Sequence, residues 1–245
     1  MAFNLASISK TKQMRAPRIL LAGVPKVGKS TFAAGAPNPI VIRTEDGLDG
    51  VDVSAFPLAE TYEDVLSAID TLTDEAHDFE TVVLDSTDWL EPLLWAYVCK
   101  KNKWDNIEAA GYGKGYVAAA DEWRNLIERL EILRAKRNMA VILISHVSIK
   151  RIEDPMTEGY DSYVLKTNAK ASAILEEYAD VVGFAAHRVA VRKTDAGFGQ
   201  KQNKALKTGD RVLHLEPSPA YPSGTRFGFE DCDLTWEALA NQFPA

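Results

Sequence analysis

Eight residues near the start of the chain have the types and spacing that bind nucleotide phosphates; they read Gly-Val-Pro-Lys-Val-Gly-Lys-Ser over 23–30. This pattern predicts that backbone N–H groups of residues 26–30 cradle a triphosphate, that Lys29 reaches its β- and γ-phosphates, and that the Ser30 hydroxyl binds Mg²⁺. Pro25 has no N–H, so the cradle must come mainly from the residues after it. The predicted contact residues are Gly23, Val24, Pro25, Lys26, Val27, Gly28, Lys29, Ser30 and Thr31.

Alternating strand and helix patterns surround this loop. Apolar runs typical of strands occupy residues 18–22, 39–44, 81–85, 139–145 and 180–185, and helix patterns occupy 62–77 and 116–137. Thr61 and Asp64 form a near capping box at the first of these helices. Because buried parallel strands are continuously apolar, the sequence predicts an α/β fold whose mostly parallel sheet is flanked by helices on both faces.

The sequence changes in character after residue 185. Residues 187–193 and 211–216 predict a hairpin around a long tip, 194–210, that is rich in Gly, Lys and Gln. A loop over 217–228 and a closing helix over 234–243 are predicted to follow. The predicted organisation is a polar arm over 1–16 and one domain over 17–245 with a C-terminal β-hairpin extension.

Composition restricts the functional classes. With 245 residues, 46% of them hydrophobic, the chain suits one large domain or a core with small additions. It has no apolar run of the ~18 residues that span a membrane, and its N-terminus lacks the apolar stretch of a signal peptide. Cys99 and Cys232 are isolated in the sequence, which suits a reducing compartment. These features predict a cytoplasmic protein with no membrane partner.

The charge distribution is uneven, although the net charge of −7 argues against indiscriminate nucleic-acid binding. Residues 44–99 hold fifteen Asp or Glu and no Lys or Arg, whereas 188–211 hold seven Lys or Arg against two Asp. This separation of charge could allow a polyanion to bind on one face, or allow the basic face of one subunit to contact the acidic face of its neighbour. Alternatively, the basic residues only form a solvated hairpin and tail with no binding role.

Two carboxylates follow strands of the predicted sheet. Asp85 ends the run 81–85, where a phosphate-loop enzyme places the carboxylate that holds Mg²⁺ through its water shell. Ser86 follows it rather than Glu, so the water-activating base is predicted elsewhere. Glu45 is the better candidate because it follows the strand 39–44, and carboxyl ends of strands meet at the nucleotide crevice. Alternatively, Glu45 is only one of several carboxylates in a solvated acidic loop.

His146 follows the strand 139–145 at the same predicted edge. Its imidazole could hydrogen-bond the γ-phosphate or the attacking water and report the state of the nucleotide to the next loop. A purely structural histidine is the alternative.

These residues resemble a known family. The stretches 42–49, 82–86 and 142–146 are similar to three core motifs of RecA-type recombinases, closest to the short phage RecA-like proteins linked to single-strand annealing, over roughly residues 16–240. The resemblance implies a RecA-like P-loop NTPase core that hydrolyses ATP with Mg²⁺. In it, Glu45 activates the hydrolytic water, Asp85 and Ser86 form the magnesium-side motif, and His146 is the γ-phosphate sensor.

The same resemblance implies two DNA-binding segments, 100–116 and 147–168. Basic residues interleaved with aromatics suit phosphate contact and base stacking on a single strand. Core packing is the alternative for the aromatics, although Gly111 and Gly113 favour a mobile loop around Tyr112. The candidate DNA-binding residues are Trp104, Tyr112, Lys114, Lys150, Arg151 and Lys166.

Two further features resemble contacts between subunits. Arg226 matches the second of two cations that reach a neighbour's ATP, while Gly224 replaces the first. Phe3 and Ala6 have the Phe-x-x-Ala form by which some RecA relatives dock into the next subunit. These features imply a homo-oligomer, either filament or ring, with Arg226 catalytic in trans.

The favoured function is therefore an ATP-dependent single-stranded-DNA-binding recombination protein that promotes annealing or pairing, with DNA-stimulated ATPase activity. The class implies a single-stranded-DNA-binding protein as a further partner, and the host cell cytoplasm if the gene is phage-encoded. One alternative is an ATPase of the replicative helicase or helicase-loader class. The Asp85-Ser86 pair argues against AAA+ loaders, which usually place Glu there. The other alternative is a P-loop kinase, which would need an arginine-rich lid where residues 194–210 supply lysines.

Overall fold

The computed structural model describes residues 15–155, 158–195 and 201–244, with the backbone alone for 189–195 and 201–208. Within these residues ten strands form one sheet with six helices around it. The strands are β1 Arg18–Gly23, β2 Pro39–Arg43, β3 Ser54–Ala55, β4 Thr81–Asp85, β5 Ala140–Ile152, β6 Tyr160–Leu165, β7 Val181–Asp195, β8 Lys201–His214, β9 Gly224–Thr225 and β10 Cys232–Asp233. The helices are α1 Lys29–Ala34, α2 Tyr62–Asp74, α3 Thr87–Asn102, α4 Lys114–Arg137, α5 Ala169–Tyr178 and α6 Trp236–Ala240.

The central part of the sheet is parallel. Its strand order is β10-β8-β7-β1-β5-β4-β2-β3, and every pair from β7 to β3 is parallel. Antiparallel pairs add β8 and β10 at one side, β6 on the far end of β5, and β9 on the start of β7. The predicted α/β class, with a mostly parallel sheet flanked by helices and a C-terminal hairpin, is confirmed.

The two faces of the sheet bury separate cores, because successive residues of a strand point to opposite faces. On β1, Leu20 points toward the face covered by α2, α3, α4 and α5. Its neighbours Ile19 and Leu21 point toward the other face, which α1 and α6 cover through Phe32 and Leu239. The parallel strands are therefore apolar on both sides, as their continuous apolar runs predicted.

The parallel register brings the ends of four strands to one edge of the sheet. Gly23 at the end of β1 lies opposite His146 of β5, and Arg43 at the end of β2 lies opposite Asp85 of β4. We call this the nucleotide edge, because the phosphate-binding loop leaves the sheet here. The opposite edge, where β1 and β7 begin, is called the amino edge.

Helix boundaries follow local capping chemistry. Thr61 caps α2 by accepting a hydrogen bond from the Asp64 backbone N–H, and the Asp64 carboxylate accepts from the Thr61 N–H in return. The predicted capping box is thus confirmed. The predicted helices 62–77 and 116–137 are observed as α2 and α4, the second beginning at Lys114. The closing helix predicted over 234–243 is shorter, α6.

The C-terminal hairpin differs from its prediction. The tip predicted over 194–210 is wrong, because β7 and β8 stay paired from Phe184–His214 to Asp195–Lys201, with one register shift between His187 and Val189. The sequence of this stretch alternates poorly between apolar and polar residues, so its pattern did not predict the full length of the strands. The second strand of the hairpin ends at His214 rather than 216.

Candidate nucleotide-binding site

The phosphate-binding loop takes a shape that its glycines permit. Gly28 has φ of 107°, which favours glycine, at the turn into α1. A Cβ on Gly23 would lie 2.7 Å from the carbonyl oxygen of Ala185 on β7, closer than real Cβ atoms come. Glycine at these two positions therefore allows the loop to begin against β7 and to turn directly into α1.

Lys29 lies over the loop, where phosphates are predicted to bind. It is 5% exposed, and its Nζ donates to the carbonyl oxygens of Gly23 at 3.1 Å and Val24 at 3.0 Å. Burial lowers the pKa of Lys29, and nearby Asp85 and Glu45 oppose that shift. Phosphate oxygens would be stronger, charge-assisted partners than these two carbonyls.

Ser30 and Asp85 meet at the nucleotide edge and could hold a divalent cation. The Ser30 hydroxyl donates to Asp85 Oδ2 at 2.7 Å. The carboxylate is buried, and its Oδ1 has no hydrogen-bond partner among the described residues. Burial raises the pKa of Asp85, and the hydrogen bond from Ser30 opposes the rise. A hydroxyl beside a carboxylate oxygen in need of a partner fits Mg²⁺, held by Ser30 and, directly or through water, by Asp85.

A pair of hydrogen bonds fixes the ends of β2 and β4 against each other. The Thr44 hydroxyl donates to the carbonyl oxygen of Ser86 at 2.7 Å and accepts from its N–H at 2.9 Å. The Thr44 N–H donates to the carbonyl oxygen of Asp85 at 2.8 Å. Because Glu45 follows Thr44 directly, these hydrogen bonds also fix the backbone of Glu45 beside Ser30 and Asp85, the proposed Mg²⁺ ligands.

Glu45 lies in the electrostatic field of the whole site. Burial raises the pKa of its carboxyl, His146 and Lys29 lower it, and Asp85 and Asp88 raise it further. The structure therefore brings Glu45, Lys29, Asp85 and His146 together, as the sequence predicted. A half-buried carboxylate with a raised pKa is a better proton acceptor than a solvated one. This environment is consistent with a base that activates water.

Asp88 is a further residue of the site, and the sequence pattern did not predict it. This residue lies in the first turn of α3 and accepts from the His146 N–H at 3.0 Å. Both of its carboxylate oxygens also lie 3.1 Å from His146 Nδ1. Burial would raise the pKa of Asp88, but the hydrogen bonds from His146 outweigh it and hold that pKa below its usual value. An ionised carboxylate can only accept, so Nδ1 carries a proton and Nε2 is the ring atom left for a ligand.

One turn further along α3, Glu91 makes a similar contact and was also missed. It is 5% exposed, and its two oxygens accept from the Asn168 N–H at 2.9 and 3.0 Å. Burial raises the pKa of Glu91 to about 7, against the hydrogen bond from Asn168. Asp88 and Glu91 thus hold the two ends of the segment between His146 and Asn168.

The described part of that segment is a β-hairpin, whereas we expected a loop after His146. From Val147 to Leu165, β5 and β6 pair without a shift in register; only residues 156–157 at the turn lie outside the described part. We call residues 147–165 the β5–β6 hairpin. The candidate DNA-binding residues Lys150 and Arg151 are exposed on β5, and Lys166 is exposed directly after β6. Arg151 lies 3.5 Å from Glu153.

The three candidates from the earlier segment have different surroundings. Trp104 is half-buried and packs against the core beneath α2, α3 and α4, which leaves it less surface for stacking on a base. Tyr112 is fully exposed, with φ of 48°, between two glycines that also have positive φ. Lys114 is exposed at the first turn of α4. Tyr112 and Lys114 are therefore the members of this group with a free surface.

Arg226 lies far from the nucleotide edge of its own chain. It follows β9, which pairs with the start of β7 at the amino edge. Its guanidinium donates to the Glu177 carbonyl oxygen at 2.9 Å and lies 3.5 Å from Asp180. Since β1 spans the sheet from the amino edge to the phosphate-binding loop, Arg226 could act only on the nucleotide of a neighbour. The Phe3 and Ala6 motif lies outside the described residues.

No helix in the described part of the chain is both long and apolar enough to cross a membrane.

Comparison with known proteins identifies the family. A family model described as AAA domain, AAA_24, matches residues 15–227. None of the curated proteins matches the sequence. Among solved structures, the RadB recombinase is similar over 86% of each chain, with 18% sequence identity and a TM-score of 0.47. The family match includes the phosphate-binding loop, Glu45, Asp85 and His146. The chain belongs to the AAA_24 family of P-loop AAA domains.

Proposed function

We propose that this protein is an ATP hydrolase that binds single-stranded DNA and promotes the annealing of complementary strands. The observation that carries this proposal is the double attachment of the β5–β6 hairpin to α3. Asp88 holds His146 beside the nucleotide edge, and Glu91 holds Asn168 at the other end of the same segment. A change at the γ-phosphate would thereby reach a hairpin that carries exposed cations.

The site residues have distinct roles in the proposed hydrolysis. Lys29 binds the β- and γ-phosphates, and Ser30 and Asp85 hold Mg²⁺, which neutralises phosphate charge when bound. Glu45 takes a proton from a water molecule whose oxygen attacks the γ-phosphorus, the bond to the β-phosphate oxygen breaks, and ADP leaves. His146 Nε2 contacts the γ-phosphate or this water.

The proposed DNA contacts are exposed side chains on and next to the β5–β6 hairpin, and alternation along β5 places Lys150 and Arg151 on opposite faces of it. Lys150, Arg151 and Lys166 would contact phosphates. Ile149, on the same face of β5 as Arg151, is 65% exposed and could lie against a base. Tyr112 offers an exposed ring for stacking. A strand bound this way would be held by its backbone, without base-specific readout.

The two alternatives predict different activities. A helicase or loader would couple hydrolysis to unwinding or to loading of a motor, and a kinase would transfer the γ-phosphate to an acceptor other than water. The attachment of the hairpin to His146 favours a DNA-responsive ATPase over the kinase. It does not by itself separate annealing from unwinding, so the test must measure both.

We propose that the active form is a homo-oligomer. Next to the end strand β3, a groove of about 400 Å³ lies between the 56–60 segment and α2. It is lined mainly by apolar side chains, among them Phe56, Leu58 and Ala68. The arm over 1–16, with Phe3 and Ala6, is proposed as the segment of a neighbour that fills it. Arg226 of that assembly would then be the cation donated to the neighbouring nucleotide.

The test of function is an annealing assay. Complementary oligonucleotides, one of them fluorescent, are mixed with the wild-type protein, ATP and Mg²⁺, and Lys29→Ala is the matched control. The proposal expects duplex formation several-fold faster than with Lys29→Ala, and no strand separation when a preformed duplex with single-stranded tails is the substrate. Unwinding of that duplex would support the helicase alternative. Absence of both activities, with normal ATP binding, would overturn the annealing proposal.

The trans role of Arg226 is tested by mixing two inactive variants. Lys29→Ala lacks a working loop, and Arg226→Ala lacks the donated cation. In mixed oligomers one type of interface combines an intact loop with an intact Arg226, so some ATPase activity should return. If light scattering confirms co-assembly but the ATPase activity of the mixture is only the average of the two separate variants, Arg226 is a structural residue of the amino edge.

A further inference from the structure

A second cation lies against the phosphate-binding loop and has no part in the site described above. Arg211 is on β8, opposite His187 of β7, two positions beyond the pair Ala185–Leu213 toward the nucleotide edge. Since Gly23 lies opposite Ala185, this register carries Arg211 past the end of β1 to the level of the loop.

The Arg211 side chain rests on Gly28. A methyl group built on Gly28 would collide with Arg211 Nη1 and would lie 3.3 Å from Cζ and 3.5 Å from Cδ. The guanidinium therefore covers the residue that precedes Lys29. Within the part of the chain described, the guanidinium has no hydrogen bond and no ion pair. Arginine has five N–H donors in a fixed fork, and the fork matches the oxygens of a phosphate.

The cations near the loop have unequal surroundings. Lys29 is near Asp85 and Glu45, which offset its charge. Arg211 is on β8, and the strand order places β8 and β4, the strand of Asp85, on opposite sides of β1. Neighbouring Arg188 is already paired with Asp233 at 3.3 Å. An unpaired guanidinium held at a loop built for phosphates has the chemistry of an anion contact rather than that of a structural ion pair.

We propose that Arg211 binds a phosphate of the nucleoside triphosphate held by the same chain. This rests on the proposed function and assigns it one more binding residue. It also makes β8 a second element in contact with the nucleotide, so the base of the β7–β8 hairpin is tied to the occupied loop. The contact is made within one chain and needs no neighbour, unlike the contact proposed for Arg226.

The experiment measures equilibrium binding of a fluorescent ATP analogue and of ADP to wild type, Arg211→Ala, Arg211→Lys and Arg188→Ala. Loss of a charge-assisted hydrogen bond predicts that Arg211→Ala raises the Kd by roughly tenfold or more. Arg211→Lys should recover part of the affinity, because it keeps the charge but loses the fork. Arg188→Ala removes a cation from the adjacent strand and should bind like the wild type.

Two readouts separate a phosphate contact from a packing role. The Kd of Arg211→Ala should depend less on ionic strength than that of the wild type, because one screened charge interaction is gone. Its melting temperature without nucleotide should equal that of the wild type. Wild-type binding with an unchanged Kd in Arg211→Ala would overturn this inference alone, as would weaker binding with an unchanged salt dependence. If the wild-type protein binds no ATP, both the proposed function and the proposed role of Arg211 are wrong.

Discussion

Asp88 and His146 are joined through both the backbone and the side chain of the histidine. The Asp88 carboxylate accepts from the His146 N–H at 3.0 Å and lies 3.1 Å from Nδ1. The backbone contact fixes the end of the buried part of β5, and the ring contact fixes the tautomer and the direction of the imidazole. His146 is thereby a positioned group with one free ring nitrogen, rather than a freely rotating side chain.

Replacing Asp88 should disturb hydrolysis more than binding. In Asp88→Asn the side-chain amide has one accepting oxygen and one donating NH₂ group, and either can face His146 Nδ1. The tautomer of His146 is then no longer fixed. We expect DNA-stimulated kcat to fall about tenfold or more, by analogy with the carboxylates that orient metal-binding histidines, while the Kd for ADP changes less than twofold. Single-turnover phosphate release and ADP titration measure the two quantities. An unchanged kcat would show that His146 needs no such support.

Replacing Glu45 should separate binding from turnover. Glu45→Gln keeps the size of the side chain but removes the proton acceptor, so ATP binding should persist while hydrolysis falls by roughly 10²-fold or more. Asp46→Asn is the matched control, because Asp46 is a neighbouring, 76% exposed carboxylate that lies 3.8 Å from Arg43. Hydrolysis by Glu45→Gln near the wild-type rate would place the base elsewhere.

Binding to single-stranded DNA should depend steeply on salt. Each phosphate contact contributes a slope of about −0.7 in log K against log salt concentration on single strands. Neutralising Lys150, Arg151 and Lys166 together should flatten that slope by about two units. Anisotropy titrations at several salt concentrations measure it. The control is the triple variant of three cations on α4 that are paired with carboxylates, Arg124, Arg129 and Lys136.

If the slope of log K against log salt concentration flattens in the α4 variant, or stays unchanged in the variant of Lys150, Arg151 and Lys166, the DNA site is not on the β5–β6 hairpin. The basic stretch 188–211 would then be the next surface to test.

Stability should depend on the ionisation of Glu91. Its pKa is raised from 4.5 to about 7, so folding favours the protonated form. The resulting penalty is absent below pH 4.5, grows between 4.5 and 7, and reaches roughly 3 kcal/mol above 7. Glu91→Gln cannot ionise. Between pH 5 and pH 8, its free energy of unfolding relative to the wild type should therefore rise by roughly 2 kcal/mol.

Urea unfolding at the two pH values measures this change, and any fixed cost of burying the amide cancels in the comparison. Glu128→Gln, on the exposed side of α4, is the matched control. If both variants keep a constant difference from the wild type, Glu91 is ionised in the folded protein throughout this range.

The nucleotide edge was predictable because its residues lie at strand ends. Continuous apolar runs located β1, β2, β4 and β5, and parallel pairing then required Ser30, Glu45, Asp85 and His146 to share one edge. Local spacing was sufficient for this part of the fold.

Residues that depend on helix α3 and on β8 were not predictable in the same way. The apolar residues of α3 lie on all its faces instead of forming one stripe, and Pro92 lies inside the helix, where proline is unfavourable. The sequence pattern therefore predicted no helix on which to place Asp88 and Glu91. An acidic residue in the first turn after β4 was the only signal for Asp88. The position of Arg211 depends on a hairpin register set many residues away, including a shift between His187 and Val189.

In the proposed mechanism, single-stranded DNA and the γ-phosphate act on one site through the β5–β6 hairpin. The most direct test measures steady-state phosphate release by the full-length wild type with ATP and Mg²⁺, with and without an oligo-dT strand, using Glu45→Gln as the blank. We expect DNA to raise the rate severalfold in the wild type and to leave Glu45→Gln at background. ATP hydrolysis that is abolished by Glu45→Gln but unaffected by DNA would contradict this mechanism.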